Sequence, residues 1–579
     1  MNDKIDLVSL PKKSFWKLSL PIIAFCLFDA IYGIIDMLWI SRISDDAFFA
    51  MSMSIPFVIF IFSIGDSLGQ GTNSIMSRFI GSGDYESAYN SLIHGMILCN
   101  IIWFIIALCF LFANGVLFYV DDQKSYVLIF DYLVPLIVFS FIFIFNNLFS
   151  ETMQAEGNSR TPTILIISSN ILNLILDPIF IFNLNLGIKG AAYATVLSAS
   201  LVFVPILYMY CRGRTKIPLS MKYFKFRPYI IFEIFKVALP NFLDSALWLL
   251  SASYINSVLL VGMNSMGPIL YSASVKLKNL LIVPVRGYGR ALMSVTGHLF
   301  GARKFDDLKA MFKYVLKISF FTTAILTVVF FFTRDYIFGL FSITGMQTQI
   351  FWISLAGIFI MIPLPFSMIS AKMLDGFGKS LYSLMFTAAK VFFEICLIFA
   401  LIEIFNDISS VLIAIIFTEI ISAIVYYFFL IYLFKNFNKE YDGKATVKTF
   451  MDEDECKGMK SFEETDKNRY ISFLKRGSMH IALVAMVIAV LLISYETVTL
   501  HGNLTLITGI ISILVVGILS YFLDKFDRIK FQIIEIFIIS LVLVLLMEGA
   551  DYLTAVLFIV IGVMLQYIIA IYNRLAKKD

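Results

Sequence analysis

The segment SNILNLILDPIFIF, Ser169 to Phe182, sets three polar side chains into an otherwise apolar run. Asn170, Asn173 and Asp177 fall at i, i+3 and i+7, which on a helix of 3.6 residues per turn puts all three on one stripe. Pro178 follows the carboxylate, has no N–H to donate and breaks or kinks a helix, which frees carbonyls beside Asp177. A carboxylate at membrane depth is costly and faces a bundle interior or a watery cavity. Asp177 therefore reads as part of a site.

The rest of the chain supports the membrane setting. Of its 579 residues 59% are hydrophobic and 15% charged, with 59 Phe, more apolar surface than a soluble chain of this length needs. The formal charge of +4 is small and the basic residues lie in particular loops, so nucleic-acid binding has no support. Cys26, Cys99, Cys109, Cys211, Cys396 and Cys456 form no CxxC, and no disulfide framework or zinc site is expected. Lys4, Lys12, Lys13 and Lys17 precede an apolar run too long for a signal-peptide core, which reads as a retained first span.

Runs of spanning length lie near 16–41, 52–78, 92–115, 126–150, 162–183 and 189–211, then near 232–261, 269–297, 311–332, 348–370, 381–404 and 409–434. Four more follow near 479–497, 503–523, 531–549 and 551–571. Basic residues concentrate in alternate loops: Arg212, Arg214, Lys216, Lys222, Lys225 and Arg227; Arg303, Lys304, Lys309 and Lys313; Lys372 and Lys379; Lys525, Arg528 and Lys530; Arg574, Lys577 and Lys578. By the positive-inside rule both termini are then expected in the cytoplasm.

The first twelve runs repeat at a spacing of about 220 residues. SLPIIAFCLFDA answers to ALPNFLDSALWL with Pro21 on Pro240, SRFIGSGDYESA to GHLFGARKFDDLKA with Gly81 on Gly301, and the segment around Gly157 (QAEGNSRTP) to that around Gly376 (LDGFGKSLY). Six spans per unit give two lobes of like orientation, related by an axis along the membrane normal, as in transporters. The expected fold is thus an all-α polytopic membrane protein: a six-helix lobe at 1–215, a second at 216–435, a polar cytoplasmic linker at 436–477 and an extra four-helix membrane module at 478–579.

Other charges lie at membrane depth. Asp29 and Asp36 share a stripe of the first span with Tyr32 between them, and with Asp177 they suit a proton, sodium or a cationic group. Asp66 stands among glycines, either as a packing hydrogen-bond partner or as a cavity group. Asp244, Glu394 and Glu419 have Lys276, Lys278 and Lys390 as candidate partners in structural ion pairs. Arg286 and Arg290 lie nearer the cytoplasmic half, placed to snorkel or to clamp a gate. His94, His298, His480 and His501 show no metal-ligand spacing, and no GxxxxGK[ST], HExxH or nucleophile elbow occurs. Neither an enzyme nor direct use of ATP is expected.

Residues 10–435 resemble the MATE (multidrug and toxic compound extrusion) transporters, more closely their DinF-like and archaeal branch. The motifs are LPII with YGIID (Pro21, Tyr32, Asp36), SRFIGSGDYESA, QAEGNSRTPT, NLILDPIFIF, GIKGAAYATVLS, the ALP at Ala238 and VRGYGRALMSVTGHLFGARKFD from Val285, in that order. The resemblance implies a monomeric, twelve-helix antiporter of the cell membrane that expels amphipathic, often cationic, small molecules in exchange for protons or sodium ions, with no other cofactor. It implies coupling at Asp36 and Asp177, with Tyr32, Asn173, Gln154 and Thr195 nearby and a bend at Pro21. Asp29 and Asp66 depart from the pattern as additional acids, and the last four spans lie outside it. A lipid-linked glycan flippase of the same plan is the alternative, favoured by Lys276, Lys278, Arg286 and Arg290. A non-transporting receptor ranks behind both.

Overall fold

The computed structural model describes residues 7–112, 123–217, 224–263, 266–340, 347–405 and 408–441. The expected linker and four-helix module, 436–579, therefore lie outside the described residues but for the end of the last helix. By contacts the chain forms two compact units, 1–246 with 262–450 and 247–261 with 451–579; the described part of the second is a stretch of one helix.

The described residues are helical throughout. The first repeat comprises α1 (Pro11–Ser41), α2 (Asp45–Ser82), α3 (Tyr85–Phe112), α4 (Gln123–Val138), α5 (Ser140–Ala155), α6 (Arg160–Pro178) and α7 (Gly187–Cys211). The second comprises α8 (Pro228–Met263), α9 (Met266–Leu281), α10 (Val283–Gly301), α11 (Phe305–Leu340), α12 (Gln347–Met361), α13 (Leu364–Gly376), α14 (Ser380–Phe405) and α15 (Ile408–Tyr441). Among the described residues seven helices are long and apolar enough to cross a membrane, or nine counting each bent pair as one span.

Three expected spans are broken, each at proline. The fourth bends by 47° between α4, which carries Pro135, and α5; the tenth bends by 40° between α12 and α13, where Pro363 and Pro365 withdraw two N–H donors. The eighth is interrupted at Ile282, just before Pro284. Its repeat mate α2 carries Ile64 in place of Pro284 and runs unbroken for 38 residues. Pro21, expected to bend the first span, sits inside a continuous α1.

The helix ends correct the repeat alignment. α2 ends on Gly83 at φ 85°, with Gly83 N–H donating to Ile80 O and Asp84 N–H to Phe79 O; α10 ends on Arg303 at φ 57°, with the same two bonds from Arg303 to Phe300 and Lys304 to Leu299. α5 ends on Gly157 at φ 86° and α13 on Gly378 at φ 70°, again with matching bonds. Gly157 thus pairs with Gly378, not with Gly376. The glycine at 376 meets a different need, since a Cβ there would lie 2.8 Å from Met293 O of α10. In the corrected register Glu151 answers to Lys372 and Gln70 to Arg290.

Each first span packs its N-terminal half into the opposite lobe. Phe15, Leu18 and Ile22 of α1 are buried among Leu292, Val315, Ile369 and Leu430 of the second repeat, while Ile230, Ile234 and Ala238 of α8 are buried among Ile75, Leu92, Phe149 and Ile206 of the first. Lipid is as apolar as these side chains, so the exchange stabilises through close fit and dispersion rather than exclusion of water.

Candidate functional site

Asp177 ends the polar stripe of α6 and is fully buried. Past Pro178 the chain opens into a π-type turn, Ile179–Asn183, closed by Leu184 N–H to Ile179 O at 2.9 Å. α7 lies against this turn, where Gly190 approaches Phe180 O so closely that a Cβ would stand 2.6 Å from it. Along the same stripe Ser169 Oγ donates to Ser198 O at 2.6 Å, and Asn173 Nδ2 reaches Thr195 Oγ1 at 3.4 Å. Thr195 Oγ1 in turn donates to Ala191 O.

The structure thus brings Asp177, Asn173 and Thr195 together on one wall, with α1 packed against α6. Tyr32 is half-buried on α1; Asp36 belongs to the same helix, but its side chain lies outside the described residues. Asn173 Oδ1 is buried with no hydrogen-bond partner among the described residues, an acceptor left over for an occupant. Gln154 is buried at the end of α5 with its Oε1 likewise unpartnered.

Asp66 and Asp29 lie elsewhere, along the seam where α2 and α5 meet α10 and α13. Asp66 Oδ1 accepts from Arg290 Nη2 at 2.8 Å, and its Oδ2 accepts from Gln70 Nε2 at 2.7 Å. Arg290 also reaches Glu151, 2% exposed, at 3.5 Å. Glu151 accepts from Asn73 Nδ2 at 2.8 Å, and Asn73 exchanges hydrogen bonds with Ser294 at 3.1 Å. Lys372 Nζ donates to Gln70 at 2.5 Å, Asp375 at 2.8 Å and Asn241 at 3.2 Å. The repeat maps Arg290–Glu151 onto Gln70–Lys372, so one geometry occurs twice. Asp29 is exposed and makes no ion pair among the described residues; its charged neighbours are Arg290, Arg286 and Asp66.

Sequence reading missed most of the seam. Asp66, Gln70, Asn73 and Ser77 follow helical spacing on one stripe of α2, which was the available signal. Lys372, counted with the loop charges, is a half-buried member of α13 held by three partners. Glu419 forms the expected ion pair with Lys390 and also accepts from Ser367 at 2.9 Å. Glu394 accepts from Thr418, and Asp244 from Thr387. No group of His, Cys, Asp and Glu that would hold a metal occurs among the described residues.

A further acid lies outside the spans. Glu156 caps the end of α5, is 3% exposed and accepts from Lys216 N–H at 2.9 Å, tying the segment after α7 to the end of α5. Burial pushes its carboxyl up to about 7, against the opposing pull of the Lys216 and Ile217 backbone donors.

Two repeated helical halves, joined by a charged seam and carrying a buried acid in one wall, define a polytopic membrane transporter. The chain belongs to the MatE family, whose pattern matches residues 21–179 and 270–400. It is 26% identical over 351 residues to the multidrug export protein MepA of Staphylococcus saprophyticus, across 58% of this chain and 76% of that one. To MepA of Staphylococcus aureus it is 28% identical over 248 residues, across 41% of this chain and 53% of that one, so this match spans about half the relative's length.

Among solved structures it is similar to an outward-facing multidrug resistance MATE family transporter of the MOP superfamily, with TM-score 0.72 and 25% identity over 76% of this chain and 99% of that one. It is similar also to a MOP superfamily transporter of Pyrococcus furiosus, described as having a binding pocket of reversed polarity, with TM-score 0.71 and 25% identity over 75% and 99%. The chain is a multi-pass membrane transporter and not an enzyme.

Proposed function

We propose that the chain is a secondary antiporter of the cell membrane that exports amphipathic, cationic small molecules in exchange for protons or sodium ions. The reading rests chiefly on one observation: Asp177 is fully buried on the stripe of α6 that carries Asn173, whose amide reaches Thr195 of α7. Asp36, Tyr32 and Gln154 complete the set, and the chain works as a monomer with both termini in the cytoplasm. Ion and substrate compete for the acids. Ion binding neutralises the site and displaces the substrate; the two lobes then rock to the other side, and ion release restores the anionic site.

The test is efflux of a fluorescent cation from proteoliposomes under separately imposed proton and sodium gradients. Wild type is expected to respond to one of the two, and Asp177→Asn to neither, with its fold intact. Undiminished transport by Asp177→Asn overturns the assignment.

A further inference from the structure

Five lysines and arginines on α9, α10, α13 and α14 have described side chains at membrane depth, and they divide into two classes. Arg290, Lys372 and Lys390 each hold a carboxylate. Lys278 and Arg286 hold none among the described residues. Lys278 is half-buried near the end of α9; Glu419 and Glu394 are its acidic neighbours, but Glu419 is engaged by Lys390 and Ser367, and Glu394 by Thr418. The remaining charges in its field are Lys390 and Arg286.

Arg286 is exposed, and its Nη2 donates to Asn279 Oδ1 at 3.0 Å, which fixes one edge of the guanidinium and leaves the other donors open. Two cations within electrostatic reach of each other repel, and neither is held in an ion pair among the described residues. Such a pair at membrane depth is stabilised by an anion that bridges it. Asp29 of α1 is exposed, lies in the field of Arg290 and Arg286, and makes no ion pair among the described residues.

We propose that Lys278 and Arg286, oriented by Asn279, form a subsite for a carboxylate or phosphate group, and that Asp29 receives the cationic end of the same ligand. The inference rests on the exporter reading above and narrows its substrate: an amphipathic molecule bearing both signs of charge. The guanidinium takes the anion through paired N–H donors, and the lysine adds a point charge.

Two dyes decide the matter: a xanthene dye with a cationic ring system and a free carboxylate, and its methyl ester, which keeps the cation and loses the anion. Binding of each to purified wild type, Lys278→Gln, Arg286→Gln and Arg286→Lys is measured, with efflux of the ester in proteoliposomes alongside. Wild type is expected to prefer the acid to the ester, and either glutamine variant to lower that preference about ten-fold, the loss of one charge-assisted hydrogen bond. Arg286→Lys is expected to recover part of it.

The phosphate of a lipid headgroup is the other source of the same anion. It is assigned if the dye preference is absent while phosphatidylglycerol binding to wild type, measured against phosphatidylcholine, falls in both glutamine variants. If neither the dye preference nor phosphatidylglycerol binding changes, the subsite is refuted. Ester efflux that persists in that case leaves the exporter reading standing, and ester efflux absent from wild type removes the exporter reading instead.

Discussion

The seam between the lobes and the wall between α6 and α7 are both polar, both at membrane depth and both built on acids. In the seam Asp66 and Glu151 face Arg290 of the other repeat, and the amide of Gln70 faces Lys372. On the wall Asp177 has amide and hydroxyl neighbours, and the amide oxygen of Asn173 is left over. Buried charges that are already matched hold two bodies together, whereas a wall that keeps an amide acceptor unspent beside its acid can take and lose an occupant. The repeat shows how the first condition arises. Glu151 and Lys372 occupy equivalent positions with opposite charge, so the near-symmetry that would set like charges together sets unlike ones together.

Substitutions on the two sides should therefore fail differently. Asp177→Asn is expected to lose transport with little change in thermal stability, because the amide is isosteric with the carboxylate. Arg290→Met is expected to lose stability first, about 3 to 5 kcal/mol, because Glu151 is left buried and uncompensated. The double variant Arg290→Met with Glu151→Gln should regain much of that loss. Apparent Tm in detergent measures all four proteins, and strictly additive losses in the double variant would show that the two side chains are not coupled.

Glu156 sharpens the comparison, since it is a buried acid that accepts from a backbone N–H. Its folded pKa of about 7 lies above the ordinary 4.5, so between those values the folded chain holds a proton that the unfolded chain has lost. Stability should then fall as pH rises through that window and level off above it, by about 3 kcal/mol at most. Glu156→Gln should flatten the profile of apparent Tm between pH 5 and 8. An unchanged slope would place the titration elsewhere.

The twelve helical runs of the core were legible in the sequence because spanning length and apolarity are local properties, and so was the Asp177 stripe, set by helical spacing alone. The breaks at Phe139, Ile282 and Pro363 were not, because the composition of a run does not say whether a proline is carried within a helix or stands at a break; Pro21 and Pro284 illustrate the two outcomes. The seam was missed for another reason. Asp66 can be assigned to Arg290 only once α2 is known to cross α10, and Lys372 reads as a loop charge until α13 is seen to carry it inward. Which glycine answers to Gly157 was not legible either, because two glycines stand near the end of α13 and only the backbone shows which one has positive φ.

The smallest effects are expected where the seam has no side chains at all. A Cβ at Gly81 would lie 2.2 Å from His298 O, and one at Gly301 2.1 Å from Arg78 O. His298 and Arg78 are themselves repeat mates, so the two contacts are one contact seen from either side of the pseudo-two-fold axis. Backbone cannot yield as a side chain tip does, and either alanine must push α2 and α10 apart at the crossing, at about 1 to 3 kcal/mol. Two expectations separate this account from one of independent packing defects. Gly81→Ala and Gly301→Ala should lower apparent Tm by similar amounts, and the double variant should lose less than their sum, because a crossing opened for one methyl has room for the second. Unequal single losses, or full additivity, would mean that the two glycines do not share a crossing.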